Sequence, residues 1–287
     1  MPVEERLPEP SNPLGMDGIE FIEYATSRPQ EFGGLLQKIG FAEVARHRSR
    51  EVMLHRQGSM NVIVNSDAAK SDTPVLSAIA FRVRDAAFAH KRCLDLGAWD
   101  MPTRASAMEL HIPGIHGAGE SLIYFVDRYK DFSIYDVDFV PLAGTDPRPP
   151  ALAGLHWFGV VQSLFPDRTP DWLDFYSTLF GFTVLPRGQY FGVLPKGTLL
   201  ESPCHKFYLQ LIEPPPGAED IRWDEELVRV GLGAANIPAA TRALKDRGVV
   251  FVDHGAVQPS DKGALTQAYM GGVTFELVVS HLSPQGG

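Results

Sequence analysis

Two cysteines, Cys93 and Cys204, are too few to staple a chain of 287 residues into a disulfide framework. Clustered cations are missing too. There is no Lys/Arg-rich run and the formal net charge is −9, so nucleic acid and anionic membrane make poor partners, because phosphate binding needs grouped Lys and Arg. No apolar run approaches the length that would span a bilayer. The opening MPVEERLPEP has neither the basic nor the apolar stretch of a signal peptide. These absences lead us to expect a reduced, cytoplasmic protein whose partner is a small molecule or another protein. What is present is a globular balance of 44% hydrophobic and 21% charged residues, enough for one large or two moderate cores.

Near the midpoint, PLAGTDPRPP (141–150) interrupts any regular element and reads as a linker, exposed over 145–150. The two halves it separates can be compared. Each opens on an apolar strand, 19–25 and 155–162, followed by helical periodicity. Phe32, Leu35, Leu36 and Ile39 share one helix face in the first half, and Trp172, Phe175, Tyr176 and Leu179 do so in the second. Both helices meet a glycine, Gly40 and Gly181, able to take the left-handed conformation that stops a helix. Strands are expected at 52–55 and 60–65 around the turn Gln57-Gly58-Ser59, and at 190–194 and 207–212. A second strand and helix follow in each half, matching at Gly97 and Gly248, and each half closes on an apolar strand, LIYFVD (122–127) and VTFELV (273–278). A period of about half the chain says duplication, an α+β fold of tandem βαβββ modules.

Particular strings carry a family resemblance. NPLGMDGIEFIEYA (12–25), VARHRSREVMLHRQGSMNVIVN (44–65), AIAFRVRDA (78–86) and YFVDRYKDFSIYDVDF (124–139) resemble the amino-terminal module of bacterial 4-hydroxyphenylpyruvate dioxygenases. DRTPDWLDFYSTLFGF (167–182), IEPPPG (212–217) and GALTQAYMGGVTFELV (263–278) resemble that family's catalytic module more loosely. A similar pair of modules is found fused behind some bacterial 3-dehydroshikimate dehydratases. The resemblance implies the vicinal-oxygen-chelate fold, two curved mixed sheets, with a non-catalytic module at 12–140 and a catalytic-type module at 151–283. It also implies Fe(II) held by two histidines and a carboxylate, with three adjacent sites left for an aromatic 2-keto acid and dioxygen.

Glu276, in TFEL, falls at the family's glutamate position, and Phe275 and Leu277 alternate away from it. The frame RVGLGAANI (229–237) puts Arg229 at the second histidine position, where a guanidinium has no lone pair to give a metal. The first module's equivalent is Ala78. The first histidine position falls on Gly159, or on Val160 if the loop differs by one residue. His156 is nearby, but three or four strand positions displace it by roughly 10–13 Å. His111, His116, His205, His254 and His281 offer no ligand spacing. The family's covering carboxy-terminal helix has only HLSPQGG (281–287) in its place, which counts against a fully competent dioxygenase unless a partner subunit supplies the cover, since such a lid keeps water from reactive oxygen intermediates.

Two functions stay open. One is an Fe(II)-dependent dioxygenase of an aromatic 2-keto acid, with Glu276, His156 and an unidentified third group as ligands. The other is a metal-free binding or regulatory protein for a small aromatic or hydroxylated acid, working alongside a shikimate-pathway dehydratase. Gln210 and Gln267, at inward-facing strand positions, are candidate ligand-binding amides. A site without metal should pair Glu276 with Arg229 through the guanidinium fork. A homo-oligomer is compatible with either reading.

Overall fold

A computed structural model describes residues 11–102, 110–186, 192–194, 197–215, 217 and 223–280. The first half runs β1 (Gly18–Ala25), α1 (Pro29–Ile39), β2 (Ala42–His47), β3 (Val52–Gln57), β4 (Met60–Asn65), β5 (Val75–Arg82), α2 (Ala86–Asp95), β6 (Gly114–His116), β7 (Leu122–Val126), α3 (Ile134–Asp138) and β8 (Phe139–Pro141). The second runs β9 (His156–Ser163), α4 (Thr169–Phe180), β10 (Thr183–Val184), β11 (Thr198–Glu201), β12 (Tyr208–Ile212), β13 (Glu226–Ala234), α5 (Ile237–Lys245), β14 (Gly263–Leu265) and β15 (Phe275–Val279). No helix among the described residues is long and apolar enough to cross a membrane.

The first half makes an eight-stranded sheet, β6-β7-β5-β1-β4-β3-β2-β8, and the second a seven-stranded sheet, β14-β15-β13-β9-β12-β11-β10. Apart from β8 the orders correspond strand for strand. Directions correspond as well: β1 is parallel to β4 and antiparallel to β5, while β9 is parallel to β12 and antiparallel to β13. The duplication is therefore borne out by hydrogen bonding. The repeat is finer than the halves, since β5-α2-β6-β7 repeats the strand-helix-strands order of β1-α1-β2-β3-β4 within one sheet.

Local chemistry explains the matching elements. Gly40 (φ 108°) and Gly181 (φ 81°) end α1 and α4 in the left-handed conformation that a side chain disfavours. Asp85 and Asn236 cap α2 and α5 equivalently, each side chain accepting from the backbone N–H three residues on. One correction concerns the strand expected at 190–194. Residues 190–191 lie outside the described set, and 192–194 form a bend that Gly192 enters at φ 74°. The strand pairing with β12 is β11 instead.

Helices α1, α2, α4 and α5 pack on one face of their sheets, and their apolar stripes merge into a single core. Ile22, Phe81 and Phe125 of the first sheet share it with Val160, Leu209 and Phe275 of the second. Phe81 stacks on Phe207 at 5.5 Å and meets Phe180 edge-on at 5.5 Å. On the other face of the first sheet a smaller apolar cluster, including Phe21, Leu54 and Ile63, is closed by Ile134 and Tyr135 of α3. Of the linker, 145–148 and 150 are exposed, and Gly58 N–H donates to Pro149 O at 2.7 Å.

Candidate functional site

Alternation along the second sheet sorts its residues into two faces. Val230, Leu232, Phe275 and Leu277 point into the shared core, so Arg229, Gly231 and Glu276 point to the opposite, concave face. Two rows of partners cross that face. Gln210 lies opposite Val161, which lies opposite Arg229. Tyr208 lies opposite Gly159, then Gly231, then Glu276, then Leu265.

Arg229 Nε stands 3.6 Å from Glu276 Oε2, with side chains 14% and 2% exposed. This is an ion pair without a hydrogen bond, and the buried Nε–H has no partner. The expected charge pairing is present, but Nε takes no part in a hydrogen-bonded fork. Burial pulls the Arg229 guanidinium below its ordinary pKa, and the Glu276 charge works against that shift. Glu276 Oε1 also accepts from the Val193 N–H at 3.4 Å. Gly192 passes so close that a Cβ there would lie 2.2 Å from Glu276 Oε1. Gly192 and Val193 thus lie over the carboxylate, which the sequence did not announce.

The first sheet supplies an internal comparison. There Arg82 Nε donates to Glu20 Oε2 at 2.5 Å, and Asn61 Nδ2 donates to Glu20 Oε1 at 3.3 Å. That pair is closed by hydrogen bonds. The pair in the second sheet keeps the charges and leaves a donor unused.

The other candidate positions separate. Gln210 is 5% exposed on the concave face. Gln267 lies two residues beyond β14, is exposed, and its side chain makes no hydrogen bond to the Arg229–Glu276 pair; only its backbone is tied, to Val250 O. His156 lies opposite Gly233, whereas Glu276 lies opposite Gly231, so the two belong to different rows. Its Nδ1 is 3.1 Å from Gly154 O and its Nε2 is 3.0 Å from Ser280 Oγ. A carbonyl can only accept, so Nδ1 carries the proton and Nε2 accepts from the hydroxyl. Burial lowers the His156 pKa, in keeping with a neutral ring.

The first histidine position is closed by the backbone. β9 carries a bulge where Gly159 and Trp157 face consecutive residues of β13, which leaves Phe158 as the extra residue. A Cβ on Gly159 would sit 2.0 Å from Tyr208 O, too close for any side chain. Phe158 takes up the space instead: its ring comes within 3.2 Å of where a Gly231 Cβ would be, and it packs on Tyr208 with centroids 5.0 Å apart. Sequence reasoning missed Phe158 and Tyr208, because a one-residue bulge leaves no trace in residue spacing.

Tested against iron, these residues do not fit. Glu276 faces a guanidinium, Gly159 has no room for a side chain, Val160 turns into the shared core, and His156 is spent on other hydrogen bonds. No group of three or more His, Cys, Asp or Glu among the described residues could hold a metal ion.

Fold and site together define a vicinal-oxygen-chelate protein built from a duplicated module. The family model for the amino-terminal part of hydroxyphenylpyruvate dioxygenase matches residues 11–140. A 4-hydroxyphenylpyruvate dioxygenase of Pseudomonas aeruginosa is 32% identical over 268 residues, covering 85% of this chain and 73% of that protein. The protein called hemolysin VllY of Vibrio vulnificus is 36% identical over 273 residues, covering 84% and 73%. The chain belongs to the 4-hydroxyphenylpyruvate dioxygenase family. Among solved structures, a fusion of a xylose isomerase-like TIM barrel with a 4-hydroxyphenylpyruvate dioxygenase superposes with a TM-score of 0.72 at 23% identity, over 97% of this chain and 51% of that one. At that identity the likeness concerns the fold.

Proposed function

We propose that the concave face of the second sheet binds a small aromatic or hydroxylated acid without iron, and that this chain is a binding member of its family rather than an oxygenase. The observation that carries this reading is Arg229 at the family's second histidine position, paired with Glu276 at 3.6 Å while its buried Nε–H has no partner. An orphaned buried donor costs about 1–3 kcal/mol. A ligand carboxylate docked on the guanidinium would recover that cost. Gln210 lies in the same row as Arg229, and Phe158 and Tyr208 supply aromatic surface beside it. That combination of one charged anchor, an amide and apolar walls suits a small ring-bearing acid.

Kinship and the retained Glu276 favour a second reading, an Fe(II)-dependent dioxygenase of an aromatic 2-keto acid. One experiment separates the two. Protein purified without chelator is analysed for iron, titrated calorimetrically with 4-hydroxyphenylpyruvate and 4-hydroxyphenylacetate, and followed for oxygen uptake. We expect an acid to bind with substoichiometric iron and no uptake, and binding to be lost in Arg229→Gln. Stoichiometric iron with iron-dependent oxygen uptake would establish the dioxygenase instead.

A further inference from the structure

We infer that the cleft where α4 meets the chain beyond α2 binds a small organic cation of the alkylammonium type, at a site that shares no residue with the Arg229–Glu276 face. The cleft measures about 350 Å³, within the size range of small-molecule sites. Its walls come from both halves. Trp99 and His116 line it from the first, and Asp171, Trp172, Asp174 and Phe175 of α4 line it from the second. Spacings of three and four residues set Asp171, Asp174 and Phe175 along one side of α4, and Trp172 meets Phe175 edge-on with centroids 5.0 Å apart. On the opposite wall Gly97 turns the chain beyond α2 at φ 94°. Trp99 follows, 78% exposed, its indole without a hydrogen bond or ring contact among the described residues. That is apolar surface which a ligand in the cleft would take out of water.

Charge decides what that ligand carries. Two carboxylates line the cleft and, among the described residues, no Lys or Arg does. Asp171 is paired with Arg168, which also reaches Glu225 at 3.1 Å. Asp174 has only a hydroxyl: Thr178 Oγ1 donates to its Oδ1 at 3.1 Å, and no ion pair joins it among the described residues. Arg92 comes to the edge of the cleft from α2 but donates to the Thr178 and Leu179 carbonyls at 3.4 and 3.3 Å, leaving Asp174 unpaired. An anion here would meet two carboxylates, and a neutral apolar body would leave Asp174 without a counter-charge. A cation suits both walls, because positive charge is drawn to the ring of an indole and to a carboxylate alike.

The test is an NMR titration of the isotope-labelled full chain with choline and with 3,3-dimethylbutan-1-ol, an alcohol of the same shape with carbon in place of the charged nitrogen. Choline should shift the Trp99 and Trp172 indole N–H resonances saturably, with a Kd of about 1 mM, and leave that of Trp157, buried in the shared core, in place. The alcohol should bind at least about fivefold more weakly, and Trp99→Ala and Asp174→Asn should each weaken choline about two- to fivefold, the worth of one exposed cation–π or ionic contact. Both residues are exposed, so neither substitution endangers the fold. Equal binding of the two ligands, shifts in every indole or in none, or wild-type affinity in both variants would overturn the inference. So would a Trp99 resonance that moves with protein concentration in the absence of choline, the sign of a second copy seated in the cleft.

Discussion

Arg229 and Arg82 sit on corresponding strands of the two sheets, and each faces a carboxylate that is 2% exposed. They differ in hydrogen bonding. Removing Arg82 strands Glu20 and takes away a direct N–H···O bond, so Arg82→Ala should cost about 3–5 kcal/mol. Arg229→Ala strands Glu276 in the same way but breaks no hydrogen bond, so its cost should fall at the lower end of that range, about 3 kcal/mol. Urea denaturation of the two variants checks this, and equal losses would contradict the contrast between a closed and an open pair. A third buried group titrates on its own account. His55 is fully buried, neither ring nitrogen has a hydrogen-bond partner, and burial pushes its pKa down to about 4 from 6.5 against a small opposing pull from Glu43. The unfolded chain binds the proton more readily, so stability is full above about pH 6.5 and is lost as pH falls toward about 4. Between about pH 7 and about pH 5 the loss from this one residue should be about 2 kcal/mol. His55→Leu should flatten the profile by that amount in paired denaturation curves; an unchanged slope would count against a neutral buried ring.

Gly159 shows what an element can hide. The bulge in β9 directs its missing side chain at Tyr208 O and gives the concave face to Phe158. Gly159→His, even combined with Arg229→His, should therefore not create an iron site. Gly159→Ala alone should destabilise the chain by about 1–3 kcal/mol, the range for overpacking against unyielding backbone. Cobalt(II) titration by absorbance and thermal denaturation would check the two variants, and stoichiometric cobalt binding by the double variant would refute the closed-backbone account. Much of this architecture was readable beforehand. Gly40 and Gly181 announced helix ends because only glycine takes the left-handed turn cheaply, and Arg229 was legible as a substitution because its frame aligns without a gap. The bulge was not legible, since inserting one residue alters partner register without altering apolar alternation. The segment 190–194 read as a strand from its composition, yet Gly192 turns that chain over Glu276, a tertiary contact that no local window contains.

Across the whole molecule, the two sheets share one core rather than holding one each. Phe81 of β5 touches Phe180, Phe182 and Phe207, and Phe41 reaches Trp157 with centroids 6.0 Å apart, so rings from the first half are finished by rings from the second. The linker between the halves is nonetheless mostly exposed and is tied to the β3–β4 hairpin through Pro147 O and Pro149 O. Cutting there should sever a tether while leaving the packing in place. Supplying the halves separately should do the reverse. Exposing Phe41, Phe81 and Phe125 together would cost roughly 5–9 kcal/mol at 1.5–3 kcal/mol for each buried ring, comparable with the whole stability of an ordinary domain. Residues 1–143 and 147–287, expressed alone, should therefore aggregate or lack a cooperative transition, whereas coexpressed halves should associate and recover one. Sedimentation and thermal denaturation of each half decide the matter: two soluble monomers, each melting cooperatively, would mean that the rings between the sheets meet without either half depending on the other.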